Sequence, residues 1–212
     1  MSLYLGKVHY WLFNKIIWFQ NLEIELVNLA KEKGIDEDEL LSYLKDNYGE
    51  RIENKPLEEI IDTSNIHGWL QNKITISEKR LAKVTKELLT LENIKEEIEK
   101  VYKNQGIKAA KEVNEEEKLG NNAVELFNLV NDYILDGMPC DRVNEVLVQE
   151  EDQVLWKRRV CVHEDIWNSE GLEVNYFYNL RDLWIETFIK EVNNEFNYKK
   201  LSEIEMTIEK IN

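Results

Sequence analysis

The sequence predicts a helix-rich α+β fold, with an N-terminal helical bundle packed on a small antiparallel sheet of about three strands covered by helices. Two prolines and eight glycines in 212 residues are too few turn residues for a sandwich or barrel. Apolar residues recur with a helical period through about residue 135, and the period then changes to two. We therefore expect a helical region over residues 1–137 and, over residues 138–212, a β-hairpin, two helices and a C-terminal strand, all in one compact unit.

The first helical pattern runs from Tyr4 to Lys33 and ends at Gly34. Its first half is apolar on nearly all sides, which predicts a central buried helix. Asp36 and Pro56 are suited to begin two short helices, as a cap and as a first helical residue. Three later patterns complete the region: a helix capped by Ser64, an exposed charged helix over Glu92–Lys118 whose thin apolar stripe covers one side of the core, and an amphipathic helix over Ala123–Leu135. Gly106 is a candidate break within the charged helix.

The C-terminal region predicts strands at Val143–Gln149 and Gln153–Cys161, joined by a short acidic connection suited to a hairpin. A third strand is predicted near Ile204–Ile208, where apolar and polar residues alternate. Two helices, over His163–Ser169 and Tyr176–Phe196, separate the second strand from the third. In the second strand, alternation places four side chains on one face: Val154, Trp156, Arg158 and Val160.

The chain is acidic, with 42 acidic and 27 basic side chains, a net charge of -15 and a pI of about 4.8. Nucleic acids and anionic membranes attract Lys and Arg, so we expect neither as a partner. Val8–Phe19, the most apolar segment, is too short to span a bilayer, and the N-terminus lacks a signal-peptide pattern. Two cysteines are too few for a disulfide framework, which predicts a cytoplasmic protein.

Residues 8–16 and 66–74 form an internal repeat in which six of nine residues are identical. The repeat places His9 and His67 at equivalent positions on two helices, and they would meet if those helices pack antiparallel or cross. With His163, they are candidate ligands of one transition metal such as zinc, because neutral imidazole is a common metal ligand. The alternative interpretation is three core histidines bonded to carbonyl or acidic groups.

Cys161 and His163 form a candidate catalytic pair, with the thiol as nucleophile and the imidazole as base. If the strand ends near Cys161 and a helix begins at Val162, the helix dipole favours the thiolate. The alternative interpretation is a buried structural cysteine.

Aromatic side chains cluster in the C-terminal region, with Arg158 and Arg181 among them. Trp156, Tyr178 and Arg158 are candidates for the lining of a pocket for a planar or anionic small molecule. Arg158 is unusual because its strand position turns a guanidinium towards the covering helices. A buried arginine needs a carboxylate partner or a ligand. Packing of these rings in the core is the alternative interpretation.

Residues 101–208 carry a series of features: a Tyr102–Ala110 helix, an amphipathic helix before a hairpin, Trp156-x4-Cys161, a helix ending at Gly171, a helix with Asp182, and a last strand after Asn197. In this half of the chain the sequence resembles the small-molecule-binding α+β domain of the vinyl-reductase-type and L-2-amino-thiazoline-4-carboxylate hydrolase-like group. The resemblance implies that Cys161 lies in or beside a ligand pocket.

Three functional interpretations follow. The first is a cytoplasmic small-molecule-binding protein, in its narrower form a cysteine-dependent hydrolase with a pocket near Cys161 and His163. The second is a transition-metal-binding helical protein that uses His9, His67 and His163. The third is a non-enzymatic interaction module, such as a homodimer, which the exposed charged helix and acidic surface would suit.

Overall fold

A computed structural model describes residues 4–118 and 120–211 and confirms the helix-rich α+β fold. Its helices are α1 (Lys7–Glu32), α2 (Glu37–Tyr48), α3 (Leu57–Ile60), α4 (Ile66–Leu88), α5 (Lys95–Glu115), α6 (Ala123–Tyr133), α7 (Glu164–Ser169) and α8 (Val174–Val192). Its strands are β1 (Asn144–Gln149), β2 (Gln153–Arg158), β3 (Phe196–Lys200) and β4 (Glu205–Lys210). Within the described ranges, no helix has the length and apolar character needed to cross a membrane.

The chain divides into two compact units. The helical unit comprises residues 1–98 and 165–172, and the sheet unit comprises residues 99–164 and 173–212. The boundary between the units lies at residues 98/99, within the first turn of α5. The sequence prediction instead grouped α5 and α6 with the helical bundle and divided the chain at 137/138.

The helical unit is built around α1 and α4, which run parallel. His9 contacts His67 near the start of both helices, and Glu23 contacts Arg80 further along both. The sequence analysis named antiparallel or crossed packing as the condition for a meeting of the two histidines. A parallel, in-register pair instead brings the two copies of the repeat together. The long first helix is confirmed, and its inward side is fully buried at Ile16.

Side-chain caps set the starts of α2 and α4. Asp36 accepts a hydrogen bond from the backbone N–H of Glu39, as expected for an N-cap. At α4 the cap is Asn65, which accepts from the N–H of Gly68, rather than the predicted Ser64. Ser64 instead donates to Asp62, because the preceding turn is closed by that carboxylate.

The sheet unit contains one antiparallel sheet in the order β1-β2-β4-β3. The sheet has four strands rather than about three, because α8 ends at Val192 and the chain returns as β3, where a helix was predicted through Phe196. In β3 only Phe196 and Tyr198 point inward, and two lysines follow. An edge strand this short and polar carries little period-two signal.

The predicted buried face of β2 is confirmed for Val154, Trp156 and Arg158, which alternate with less buried neighbours. Val160 departs from the prediction, because β2 ends at Arg158 and the valine side chain is 46% exposed. Trp156 lies opposite Met206 on β4, so the inward face of β2 continues across the centre of the sheet.

Helix α5 runs without a break through Gly106, so the expected break is wrong. The helix has one exposed face, and its apolar side covers part of the core, as predicted. Tyr102, Ala109 and Val113 are buried on its inward side. A Cβ at Gly106 would lie 2.8 Å from the backbone oxygen of Trp184 on α8. The glycine therefore marks a close approach of two helix backbones rather than a helix end.

We expect Gly106→Ala to destabilise the protein by about 1–3 kcal/mol, because a methyl group cannot enter this contact without moving α5 from α8. The sign of this change in the free energy of unfolding is informative, because replacing glycine with alanine in a helix interior normally stabilises the helix by about 1 kcal/mol. Urea unfolding followed by circular dichroism measures the change. Asn104→Ala, at an exposed position of the same helix, is the matched control and should leave stability unchanged or slightly raised. Stabilisation by Gly106→Ala would contradict the close approach.

Candidate functional site

The candidate site of the sheet unit is centred on Tyr178, a side chain of α8 that is 2% exposed. The Arg158 guanidinium carbon lies 3.5 Å from the centre of the Tyr178 ring, and that of Arg181, one turn further along α8, lies 4.7 Å from it. Cys161 Sγ lies 3.1 Å from the Tyr178 hydroxyl oxygen. Three residues predicted for the site, Arg158, Cys161 and Tyr178, thus converge on one ring.

The Tyr178 hydroxyl stays protonated at neutral pH. Burial raises the pKa of Tyr178 above its usual range, and this effect outweighs the opposing charge of Arg181. A neutral phenol can donate a hydrogen bond to the Cys161 sulfur or accept one from its thiol. The half-buried Cys161 side chain is therefore oriented by a polar partner.

Arg158 is buried without a compensating carboxylate. Its side chain is 8% exposed and donates a hydrogen bond of 2.6 Å to the backbone oxygen of Glu203. Across residues 4–118 and 120–211, it makes no ion pair with an acidic group. A backbone carbonyl and an aromatic face compensate a guanidinium less completely than a carboxylate does. The buried positive charge is therefore suited to an anionic ligand.

A second polar cluster surrounds Asp136. His163 Nε2 lies 3.1 Å from Asp136 Oδ1, Arg181 donates to the same oxygen over 2.5 Å, and Asn144 donates to the other over 2.9 Å. Burial by itself would raise the pKa of Asp136, but the charge of Arg181 and the contact with His163 hold it well below its usual range. Asp136 is therefore an anion that neutralises Arg181 and orients the His163 ring.

The predicted catalytic pair is divided between these two clusters. Cys161 contacts Tyr178, and His163 contacts Asp136, with the His163 and Tyr178 ring centres 5.8 Å apart. Helix α7 begins at Glu164 rather than at Val162, so Cys161 precedes it by three residues. The condition under which a helix dipole would favour the thiolate is not met.

Trp156 belongs mainly to the aromatic core, with ring centres of Phe127 and Tyr198 at 5.0 and 6.0 Å. It also lines a cavity of about 20 Å³ beside Asp136 and Arg181. A space of this size holds about one water and is far smaller than the pocket of an organic ligand, which is typically at least ~300 Å³.

Sequence reasoning missed Asp136 and Asn144, whereas it had placed Arg181 among the aromatic side chains of the candidate pocket. Arg181 carried a usable signal, because it follows Tyr178 by three residues on a helix and must share its face. Asp136 carried none, since a carboxylate between an apolar residue and a glycine at a helix end resembles any polar turn residue.

The predicted metal ligands are distributed over both units. His9 and His67 meet in the helical unit, with their Nε2 atoms 3.3 Å apart, whereas His163 belongs to the sheet unit. In the part of the chain that the structure describes, no three or more His, Cys, Asp or Glu side chains are grouped so as to hold a metal ion. The three-histidine site therefore gains no support, and it stays a prediction, as does the interaction module.

Comparison with protein-family models, with curated proteins and with solved structures gives no match to this chain. The resemblance of residues 101–208 to the vinyl-reductase-type and hydrolase-like group therefore stays a prediction. The class of this protein rests on its helix-rich α+β fold, and its candidate function rests on the contacts around Tyr178.

Proposed function

We propose that the sheet unit binds a small anionic molecule at Arg158, beside the Cys161 thiol. The observation that carries this proposal is the buried Arg158 guanidinium, which lacks a carboxylate partner among the described residues. The ligand would supply the negative charge that the protein does not, and it would contact the half-buried thiol next to the Tyr178 hydroxyl.

The neighbouring arginine supports this interpretation by contrast. Arg181 and Arg158 both lie against the Tyr178 ring, but Arg181 is neutralised by Asp136. Replacing a buried charge with an apolar side chain of similar size is often neutral or stabilising. An uncompensated Arg158 is therefore difficult to explain as a purely structural residue, and a binding role explains it.

Arg158 also has a distinctive position in the charge distribution. The chain has a net charge of -15, so most of its surface repels small anions. The Arg158 guanidinium, which has no carboxylate partner among the described residues, provides local attraction beside a half-buried thiol, and its low exposure reduces screening by salt. We therefore infer selectivity for small anions over neutral molecules of the same shape.

The test compares alkylation of cysteine by iodoacetate, an anion, and by iodoacetamide, its neutral analogue. We expect the ratio of the iodoacetate rate to the iodoacetamide rate to be about tenfold higher at Cys161 than at Cys140. A tenfold rate ratio corresponds to about 1.4 kcal/mol, which one partly buried charge can supply. Mass spectrometry of the two cysteine peptides measures all four rates in one protein, and the exposed Cys140 is the internal reference.

Arg158→Met is the matched variant, because methionine retains much of the apolar bulk and removes the charge. It should abolish the preference at Cys161, leave the rates at Cys140 unchanged, and leave the melting temperature equal or higher. A preference that is equal at both cysteines, or that survives Arg158→Met in folded protein, would overturn the proposal.

The cysteine-dependent hydrolase is the narrower form of this proposal. It requires the His163 imidazole to reach the Cys161 sulfur, because a nucleophile and its base must come within hydrogen-bonding distance. Because Cys161 contacts Tyr178 and His163 contacts Asp136, these contacts support a binding function rather than a catalytic pair. Hydrolysis stays a prediction.

A further inference from the structure

His9 and His67 form a pair in the helical unit, independent of the site around Tyr178. Their Nε2 atoms lie 3.3 Å apart, and their ring centres lie 5.4 Å apart. The pair arises from the internal repeat, because parallel packing of α1 and α4 sets equivalent positions of the two copies side by side. His67 is exposed and His9 is 8% exposed, so the two nitrogens meet at the edge of the core.

The hydrogen bonds define the tautomers of this pair. The backbone N–H of Gly6 donates to His9 Nδ1 over 2.9 Å, so the proton of neutral His9 is on Nε2. That Nε2–H points at His67 Nε2, which must then carry a lone pair. Burial has the larger effect in lowering the pKa of His9, and the proximity of His67 lowers it further, so this ring is neutral at neutral pH.

The separation of the two nitrogens matches a shared metal. Zn²⁺ binds imidazole nitrogen at about 2.0–2.1 Å, and two ligands of a tetrahedral ion at that length lie about 3.3 Å apart. The observed 3.3 Å equals this value and is long for an N–H···N hydrogen bond. We propose that His9 and His67 bind one Zn²⁺ through their Nε2 atoms, with water in the remaining positions.

Binding requires a change of tautomer at His9. His9 transfers its proton from Nε2 to Nδ1, and the Gly6 N–H loses its acceptor. The Nδ1–H and the Gly6 N–H are then both donors, so the exposed Gly6 moves away from the ring and takes water as its acceptor. His67 already presents an unprotonated Nε2, and its exposure provides the path by which the ion and its waters enter.

The site needs only the helical unit, which distinguishes it from the three-histidine site of the sequence prediction. Two imidazoles with solvent ligands form an open site, in which exchangeable waters complete the coordination. Such a site is expected to be weaker than a structural zinc site with four protein ligands, and to release zinc as acid protonates the imidazoles.

The test is calorimetric titration of the full chain, free of any histidine tag, with Zn²⁺. We expect one ion per chain at about neutral pH and at least tenfold weaker binding in His67→Ala, since even outer-shell changes cost 10- to 100-fold. His67 is exposed, so this variant should retain the parent melting temperature. Gln71→Ala, an exposed position one turn further along α4, is the control and should bind as the parent does.

Three results would overturn the proposal. The first is no binding at about 100 µM free Zn²⁺, a concentration well above the dissociation constant of a micromolar site. The second is unchanged binding in His67→Ala. The third is an equal loss of binding in a folded His163→Gln variant, which would indicate a three-ligand site. Co²⁺ in place of Zn²⁺ tests the geometry, because its visible absorption distinguishes tetrahedral from octahedral coordination.

Discussion

Glu23→Ala is expected to destabilise the protein by about 3–5 kcal/mol, the largest effect of any substitution considered, because it leaves a buried charge without a partner. Glu23 is 1% exposed and lies on α1 within the helical unit. Arg51 binds it with two hydrogen bonds of 2.8 and 2.9 Å, and Arg80 on α4 adds a third of 3.1 Å.

The loss arises mainly from Arg80, which is 3% exposed and, among the described residues, keeps the Gly49 carbonyl as its hydrogen-bond acceptor when the carboxylate is removed. Removing one negative charge from a chain of net charge -15 should by itself be favourable, so destabilisation would be local in origin. Urea unfolding measures the free energy of unfolding. Glu32→Ala, an exposed position of the same helix, should change it by less than about 0.5 kcal/mol. Equal effects of the two substitutions would contradict the buried ion cluster.

Asp136→Asn is expected to lower stability by about 3 kcal/mol at neutral pH, because it leaves the buried Arg181 without its carboxylate. The substitution should also change the acid dependence. The folded pKa of Asp136 lies below its unfolded value of about 3.9, so the carboxylate stabilises the fold above that pH. This contribution decreases as the pH falls below about 4 towards the folded pKa.

Melting temperatures measured from about pH 7 down to about pH 3 test this prediction. The parent should lose stability through the acid range, and Asp136→Asn should start lower and fall less steeply. Asp165→Asn makes the same chemical change at an exposed position and should retain the slope of the parent. An Asp136→Asn protein with the acid slope of the parent would show that the carboxylate does not act through Arg181.

Part of the candidate site was predictable because helix and strand periods are local. Alternation along β2 placed Arg158 on the buried face with Trp156, and the structure confirms that burial. The same reasoning raised the question of what compensates a buried guanidinium. The compensation itself depends on distant residues, because Glu203 lies 45 positions away and Tyr178 lies on another element.

The contact between His9 and His67 was likewise predictable only in part from the sequence. The repeat indicated that the two histidines are equivalent, and both helices formed near their predicted bounds. The helical period also placed both imidazoles on inward faces, which is confirmed for His9 and wrong for His67, whose side chain is exposed. Their 3.3 Å approach depends on the parallel direction and register of α1 and α4. Neither is encoded by the period of a single helix, because an amphipathic stripe packs against a partner of either direction.

The sequence by itself determined the helix-rich α+β class, the buried face of β2 and the acidic charge, since each follows from composition or from a pattern within one element. Only the tertiary structure decided that Asp136 neutralises Arg181 while Arg158 has no carboxylate partner among the described residues, because these side chains come from separate elements. The physical reason is that burial is encoded by neighbours a few residues apart, whereas the partner of a buried charge is selected by packing between elements that are distant in sequence.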